Sequence, residues 1–101
     1  MSNTVQRLDV RSGQIVQTHV EPVQSLQETC FVPRKNAQHE GDGYVMAVAS
    51  NYESTSSDVV ILDAQKIAQG VIATVKLPFR LRSGTHTNWF AAKDLPPVKE
   101  A

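Results

Sequence analysis

Residues 44–77 read YVMAVASNYESTSSDVVILDAQKIAQGVIATVKL and contain three short apolar runs separated by polar connections. The runs cover residues 44–49, 58–63 and 71–77, and small or β-branched apolar residues dominate them. Short runs with a period near two, not 3.6, are typical of strands, and the first run is small and apolar enough to be buried on both faces. The last run meets Pro78, which has no N–H to give to a sheet and therefore predicts the end of a strand. This stretch predicts an all-β fold.

Weaker strand signals precede this stretch, at residues 5–10, 14–20 and 29–32. Arg11-Ser12-Gly13 is typical of a tight hairpin turn, and residues 39–43 predict a loop that leads into a strand. Residues 64–70 predict one helical turn that ends at Gly70. No long amphipathic helix is found. Six or seven short strands fit either a small sandwich or one propeller blade with part of its neighbour, and periodicity leaves both open.

The composition narrows the class of partner. The chain has 101 residues, 41% of them hydrophobic, with ten basic and ten acidic residues, so its formal net charge is zero. A neutral chain gives no electrostatic reason to expect nucleic acid or an anionic membrane as a partner. Its single cysteine, Cys30, excludes an internal disulfide. The polar first residues lack a signal-peptide core, and no apolar run approaches the roughly 20 residues that span a bilayer. We therefore expect a soluble, cytoplasmic protein.

Four blocks within residues 26–90 occur together in a characteristic order: Glu28-x-x-Phe31-Val32-Pro33-Arg34, then Gly41-Asp42-Gly43-Tyr44, then Ile61-Leu62-Asp63-Ala64, then a closing strand with Leu77-Pro78-x-Arg80…Gly84-x-His86-x-x-Trp89. Each block alone carries little information. Together they resemble the C-terminal region of the carotenoid cleavage oxygenase family, which includes the retinal pigment epithelium isomerohydrolase and the lignostilbene dioxygenases. The last block is most similar to the lignostilbene and phenylpropanoid-cleaving branch.

The resemblance implies an all-β fold, the C-terminal blade or blades of a seven-bladed β-propeller. Residues 1–95 would form the last blade and part of its neighbour, and residues 96–101 a polar tail. Family members bind Fe(II) on the propeller axis through four histidines from different blades, with glutamates holding some of the imidazoles. They use O2 to cleave a carbon–carbon double bond of an apolar conjugated or phenolic alkene, and a stilbene or a propenylphenol is the substrate class implied here.

His86 falls on the position of the family's last iron ligand, and Glu28 falls on that of a supporting glutamate. An imidazole is a good iron ligand, and an outer carboxylate fixes its tautomer and orientation. Which histidine Glu28 holds is left open, with His86 one candidate. Thr87 departs from the family's usual glycine, and Trp89 is expected to pack in the core. No catalytic residue is assigned, and the substrate-binding residues are unknown.

His19 and His39 fall at no ligand position of the family, so the chain carries one of the four expected ligands. We therefore expect a fragment of an Fe(II) oxygenase that is inactive alone, since one imidazole defines no metal geometry. Two alternatives involve no metal chemistry of the chain itself. One is a small all-β binding module, and the other is a segment that complements a separate propeller body, the missing part of the fold.

Overall fold

The computed structural model describes residues 3–20, 24–82, 84 and 86–97, which form two antiparallel sheets. A hairpin of two strands comes first, followed by a four-stranded sheet in which each strand pairs with the next along the chain. The hairpin consists of β1 (Thr4–Leu8) and β2 (Ile15–His19); the sheet consists of β3 (Gln24–Pro33), β4 (Gly43–Asn51), β5 (Ser56–Asp63) and β6 (Val71–Lys76). A four-stranded antiparallel sheet is the repeating unit of a β-propeller. The predicted all-β fold is confirmed.

One face of the four-stranded sheet forms the core. Alternate residues of β4 and β5 point to this face, because successive side chains of a strand project to opposite sides. Ala47 lies opposite Val60, and both are buried together with Ala49 and Leu62. The hairpin covers this face, contributing Val5 to the same core cluster. The sequence therefore places small residues on β4 and larger aliphatic residues on β5, where they pack beneath the hairpin.

The turns follow the predicted chemistry. The β1–β2 turn has Gly13 at a φ of 74°, and the Asp9 carboxylate accepts hydrogen bonds from the backbone N–H groups of Arg11 and Ser12. These bonds lower the pKa of Asp9, with the Arg11 N–H the largest cause. A single 3₁₀ turn, Ile67–Gln69, joins β5 to β6 and ends at Gly70, as predicted.

An ion-pair network closes the loop between β3 and β4. Arg34 Nε lies 2.9 Å from Asp42 Oδ1, and Arg34 Nη1 donates to the Tyr44 hydroxyl at 2.8 Å. Asp42 also accepts from the backbone N–H of Gln38 at 3.0 Å. This N–H and the Arg34 guanidinium, in that order, hold the pKa of Asp42 below its usual value. The network joins the first two sequence blocks, which are brought together at the β3–β4 loop.

The predicted closing strand at residues 77–89 is wrong. The sheet ends at Lys76, and the described residues between 77 and 91 belong to no strand. The backbone of Ser57 forms hydrogen bonds with this segment. Its carbonyl oxygen accepts from the Leu77 N–H at 3.0 Å, and its N–H donates to the Phe79 carbonyl oxygen at 3.1 Å. Its hydroxyl also accepts from the Leu81 N–H at 2.9 Å. The segment therefore lies beside the start of β5 without forming a regular ladder, and Pro78 within it lacks the N–H that a ladder position needs.

Candidate metal centre

A β-bulge in β3 shapes the candidate site. Leu26 lies opposite Ala49 and Thr29 opposite Ala47, with a register shift between them. Two residues of β3, Gln27 and Glu28, therefore lie opposite one residue of β4, Val48. Bulges of this kind redirect side chains and are frequent beside functional sites.

The Glu28 carboxylate holds the chain around His86. Its Oε2 atom lies 3.0 Å from His86 Nδ1 and accepts a hydrogen bond from the Thr87 backbone N–H at 3.2 Å. The Thr87 hydroxyl donates to the Glu28 carbonyl oxygen at 3.3 Å. The structure thus brings together the two residues that the sequence marked as separate candidates, and it answers the pairing question that the sequence left open: Glu28 contacts His86.

The contact determines which nitrogen of His86 is available. A carboxylate acceptor at Nδ1 favours the tautomer with its proton on Nδ1, and the lone pair is then on Nε2. The His86 side chain is 83% exposed and the Glu28 side chain 45% exposed, so the ring lies at the surface of the described part of the chain. Neutral imidazole with its second nitrogen bonded to a carboxylate is the usual form of a metal-binding histidine. His86 therefore fits the chemistry of an iron ligand.

The other histidines lie elsewhere. His19 Nδ1 contacts the Thr4 hydroxyl at 2.8 Å on the hairpin, and His39 Nδ1 contacts the Glu40 carbonyl oxygen at 3.0 Å in the β3–β4 loop. Within the residues that the structure describes, no group of three or more His, Cys, Asp or Glu side chains could hold a metal ion. The described residues supply one oriented nitrogen, and a complete iron site would need ligands from outside them.

An apolar cleft of about 180 Å³ opens beside Glu28. Cys30, Met46 and Val48 of β3 and β4 form part of its lining, together with Trp89. Trp89 was expected to pack in the core, but the residue is 46% exposed and lines the cleft from a segment that is not a strand. The cleft places apolar surface next to the carboxylate that holds His86.

Sequence reasoning missed two contributors to this site. Gln27 contacts the chain before His86, with its Oε1 accepting from the Gly84 N–H at 2.9 Å, and Thr87 contacts both the carboxylate and the carbonyl of Glu28. Thr87 was noted only as a departure from glycine. Nothing in the sequence marks Gln27, since its orientation depends on the bulge.

The described residues thus combine a four-stranded antiparallel sheet, the repeating unit of a β-propeller, with a histidine held by a carboxylate beside the first strand of that sheet. The profile of the family described as retinal pigment epithelial membrane protein matches residues 1–91. The chain belongs to this family, the carotenoid cleavage oxygenases, and is similar to its lignostilbene-like branch.

Three relatives illustrate the similarity. Lignostilbene-α,β-dioxygenase isozyme III of Sphingomonas paucimobilis is 49% identical over 75 residues, which are 74% of this chain and 15% of that enzyme. Isoeugenol monooxygenase of Pseudomonas nitroreducens is 51% identical over 65 residues, 64% of this chain and 14% of that enzyme. Carotenoid cleavage oxygenase 1 of Neurospora crassa is 39% identical over 95 residues, 94% of this chain and 18% of that enzyme. The chain therefore spans less than a fifth of these relatives.

Solved structures support the same assignment. The crystal structure of Pseudomonas brassicacearum lignostilbene dioxygenase superimposes with a TM-score of 0.79 at 32% identity, covering 87% of this chain and 18% of that one. Cobalt-substituted Synechocystis apocarotenoid oxygenase superimposes with a TM-score of 0.71 at 32% identity, covering 77% of this chain and 16% of that one. The predicted fold class, part of a carotenoid-oxygenase β-propeller, is confirmed. The boundary of the propeller part at residue 95 stays a prediction, and residues 98–101 of the predicted tail lie outside the described residues.

Proposed function

We propose that this chain contributes one blade and one iron ligand to an Fe(II)-dependent oxygenase. The enzyme would use O2 to cleave the carbon–carbon double bond of a conjugated aromatic alkene, a stilbene or phenylpropanoid, or of a carotenoid-like substrate. The contact between His86 Nδ1 and Glu28 Oε2 at 3.0 Å carries the proposal, because it leaves the opposite ring nitrogen oriented and free. The relatives named for lignostilbene and isoeugenol support an aromatic alkene over a longer polyene.

In this proposal His86 binds the iron through Nε2, and Glu28 holds the proton on Nδ1 and fixes the plane of the ring. Bound Fe(II) would supply the oxygen chemistry of the double-bond cleavage. The chain's own contribution is positional: the carboxylate restrains the imidazole before the metal arrives and raises the basicity of its free nitrogen. The apolar cleft beside Glu28, with Trp89 at its edge, would present a water-poor surface near the metal.

The chain alone is proposed to be inactive. A single neutral imidazole provides neither the affinity nor the geometry of an iron site, since metal sites require a set of ligands in a defined arrangement. The isolated chain should therefore show no turnover of isoeugenol or a stilbene when Fe(II) and O2 are supplied. Turnover above the no-protein control would contradict this part of the proposal.

A chimera tests the assignment of His86. Residues 1–97 of this chain would replace the corresponding segment of Pseudomonas brassicacearum lignostilbene dioxygenase, on which 87% of the chain superimposes with a TM-score of 0.79. We expect the chimera to bind iron and to cleave a lignostilbene. His86→Ala should abolish both properties, whereas His39→Ala, a matched change in the β3–β4 loop, should leave both intact. Full iron occupancy in the His86→Ala chimera would refute the role of His86.

The second face of the four-stranded sheet is apolar and partly exposed, which supports the proposal that a partner covers it. Val48, Val59 and Val75 lie opposite one another on β4, β5 and β6 and so share this face. Val48 and Val59 are half-buried, and Val75 is 51% exposed. A propeller blade buries such a face against its neighbour. We therefore propose that the remaining propeller body, on the same chain or a separate one, covers it.

The same apolar face can be used to test the proposal against its alternative, a small all-β binding module without metal chemistry. Co-expression of the chain with a lignostilbene dioxygenase that lacks the matched segment should give a complex that co-purifies and binds iron. Val75→Asp should prevent its formation, and Lys76→Asp, at the adjacent exposed position, should have a smaller effect. If the chain is stable but does not bind the truncated enzyme, the result would favour the binding module.

Among the described residues no helix is both long and apolar enough to cross a membrane. The cytoplasmic location expected from the sequence stays a prediction.

A further inference from the structure

We propose that Gln27 and Thr87 are positioning residues, which hold the histidine segment (defined here by the described residues Arg82, Gly84, His86 and Thr87) against β3 so that His86 is ordered before a metal binds. The inference rests on the proposed function in one respect, the assignment of His86 to the iron. The holding contacts themselves involve neither Nε2 of His86 nor any ligand.

The bulge in β3 makes this arrangement possible. In a regular strand, neighbouring side chains point to opposite faces, so Gln27 and Glu28 could not both reach one segment. The register shift instead places both of them opposite a single residue of β4. Gln27 Oε1 accepts from the Gly84 N–H at 2.9 Å, and its Nε2 lies 3.5 Å from the Arg82 carbonyl oxygen, at the limit of a hydrogen bond. Glu28 contacts the same segment at His86 and Thr87.

On the C-terminal side of His86, Thr87 attaches the segment to Glu28 of β3. Its backbone N–H and its hydroxyl reach the carboxylate and the carbonyl of Glu28, at 3.2 and 3.3 Å. A glycine at this position could supply the first of these contacts but not the second. The segment is therefore fixed to adjacent residues of one strand on both sides of the imidazole.

These contacts lie away from the core cluster. That cluster is built on Ala47, Ala49, Val60 and Leu62 on the opposite face of the sheet, beneath the hairpin. Water can replace the lost partners in the variants, because Thr87 is exposed and Gln27 is half-buried. Removing either side chain should consequently loosen the histidine segment without unfolding the sheet.

Amide hydrogen exchange tests the hold directly. In the full chain, Gln27→Leu should increase exchange of the Gly84 amide about fivefold, the effect of losing one ordinary hydrogen bond. Thr87→Val should increase exchange of the backbone amide at position 87 by a similar factor, because the lost hydroxyl bond no longer helps to hold that amide at the Glu28 carboxylate. Gln27→Glu, which keeps an acceptor oxygen, and Thr87→Ser, which keeps the hydroxyl, should retain most of the protection. Gln17→Leu is the matched control, since the Gln17 side chain lies on the distant hairpin, where its Oε1 accepts from Gln6 Nε2 at 2.8 Å.

The outcomes separate positioning from general stability. Unchanged exchange of the Gly84 amide in Gln27→Leu and of the amide at position 87 in Thr87→Val would overturn the proposal. A drop in the urea midpoint that accounts for the faster exchange would also overturn it, because the residues would then be merely structural. If the isolated chain gives no dispersed amide spectrum, exchange of the same segment is followed by mass spectrometry in the lignostilbene dioxygenase chimera.

The same chimera distinguishes failure of this inference from failure of the proposed function. Gln27→Leu and Thr87→Val should weaken Fe(II) binding about three- to tenfold, less than the effect of a residue that contacts the ligand itself. If His86→Ala leaves iron binding intact, the proposed function fails, while the exchange data still decide whether the segment is held. If His86→Ala abolishes iron binding but neither positioning variant changes exchange or affinity, only this inference fails.

Discussion

Replacing Glu28 by glutamine should separate the two tasks of the site, holding the chain and preparing the metal ligand. Glutamine keeps the length of the side chain and one acceptor oxygen but loses the charge that His86 Nδ1 and the Thr87 N–H both contact. Outer carboxylates of metal-binding histidines typically contribute 10–100-fold to metal affinity. We therefore expect Glu28→Gln to weaken iron binding in the chimera by about 1.4–2.7 kcal/mol.

The effect on folding should be much smaller. A hydrogen bond to a charged group contributes about 1.5–3 kcal/mol when it is shielded from water. Here the Glu28 side chain is 45% exposed and that of His86 is 83% exposed, so water competes for both. Exposed ion pairs and their hydrogen bonds are generally worth less than about 1 kcal/mol. The loss of metal affinity should consequently exceed the loss of stability.

Two titrations on the same chimera check this difference. Fe(II) binding is measured by anaerobic titration, and the free energy of unfolding of the metal-free protein by urea. Glu53→Gln makes the same chemical change at an exposed position in the β4–β5 turn and should alter neither quantity. Iron affinity within twofold of the parent in Glu28→Gln would refute the reasoning. So would a stability loss above about 2 kcal/mol, since the carboxylate would then be chiefly structural.

Three further predictions concern the fold. Leu62→Ala should lower the free energy of unfolding by about 2–5 kcal/mol, because this fully buried side chain would leave a cavity in the core; a loss under about 1 kcal/mol in a urea titration would contradict the assigned core. Gly43→Ala should destabilise by about 1–3 kcal/mol or more, because an added Cβ would collide with the Val32 carbonyl oxygen of the paired strand; an unchanged urea midpoint would be the contrary result. The lowered pKa of Asp42 means that its contribution to stability is present above the ordinary value of 3.8 and is lost as pH falls through the lower folded value. Asp42→Asn should therefore lose less stability on acidification than the parent, as followed by circular dichroism, and identical acid transitions would argue against the network.

The strands were predictable because their signals are local. The apolar runs at residues 44–49 and 58–63 fall within β4 and β5, and the turn residues Gly13 and Gly70 stand where the backbone has a positive φ. Pro78 correctly marked the end of β6. The closing strand was predicted wrongly because the backbone partner of that segment is Ser57, which a sequence pattern cannot identify. Which atoms a strand-like segment bonds is decided by packing, and packing is not local.

The site was predictable only through family resemblance. His86 and Glu28 are each unremarkable in composition, and their contact joins positions 58 residues apart. The bulge that turns Gln27 toward Gly84 depends on how β3 aligns with β4, and no turn residue or periodicity in the sequence predicts it. Thr87 looked like a mild loss relative to glycine, yet its hydroxyl adds a contact.

A metal site assembled from several blades places a particular demand on each blade. If the ligands come from different parts of a propeller, every imidazole that is free to rotate adds an ordering cost to metal binding. In this chain the contacts that order His86 come from β3 of the same sheet, and the described contacts that order it do not require another blade. The orientation of the ligand is then a property of the blade, whereas the presence of the metal is a property of the assembly. It follows that the Glu28–His86 contact should persist in the chain without metal, and that assembly with the remaining blades should change the affinity for iron far more than the geometry of this histidine.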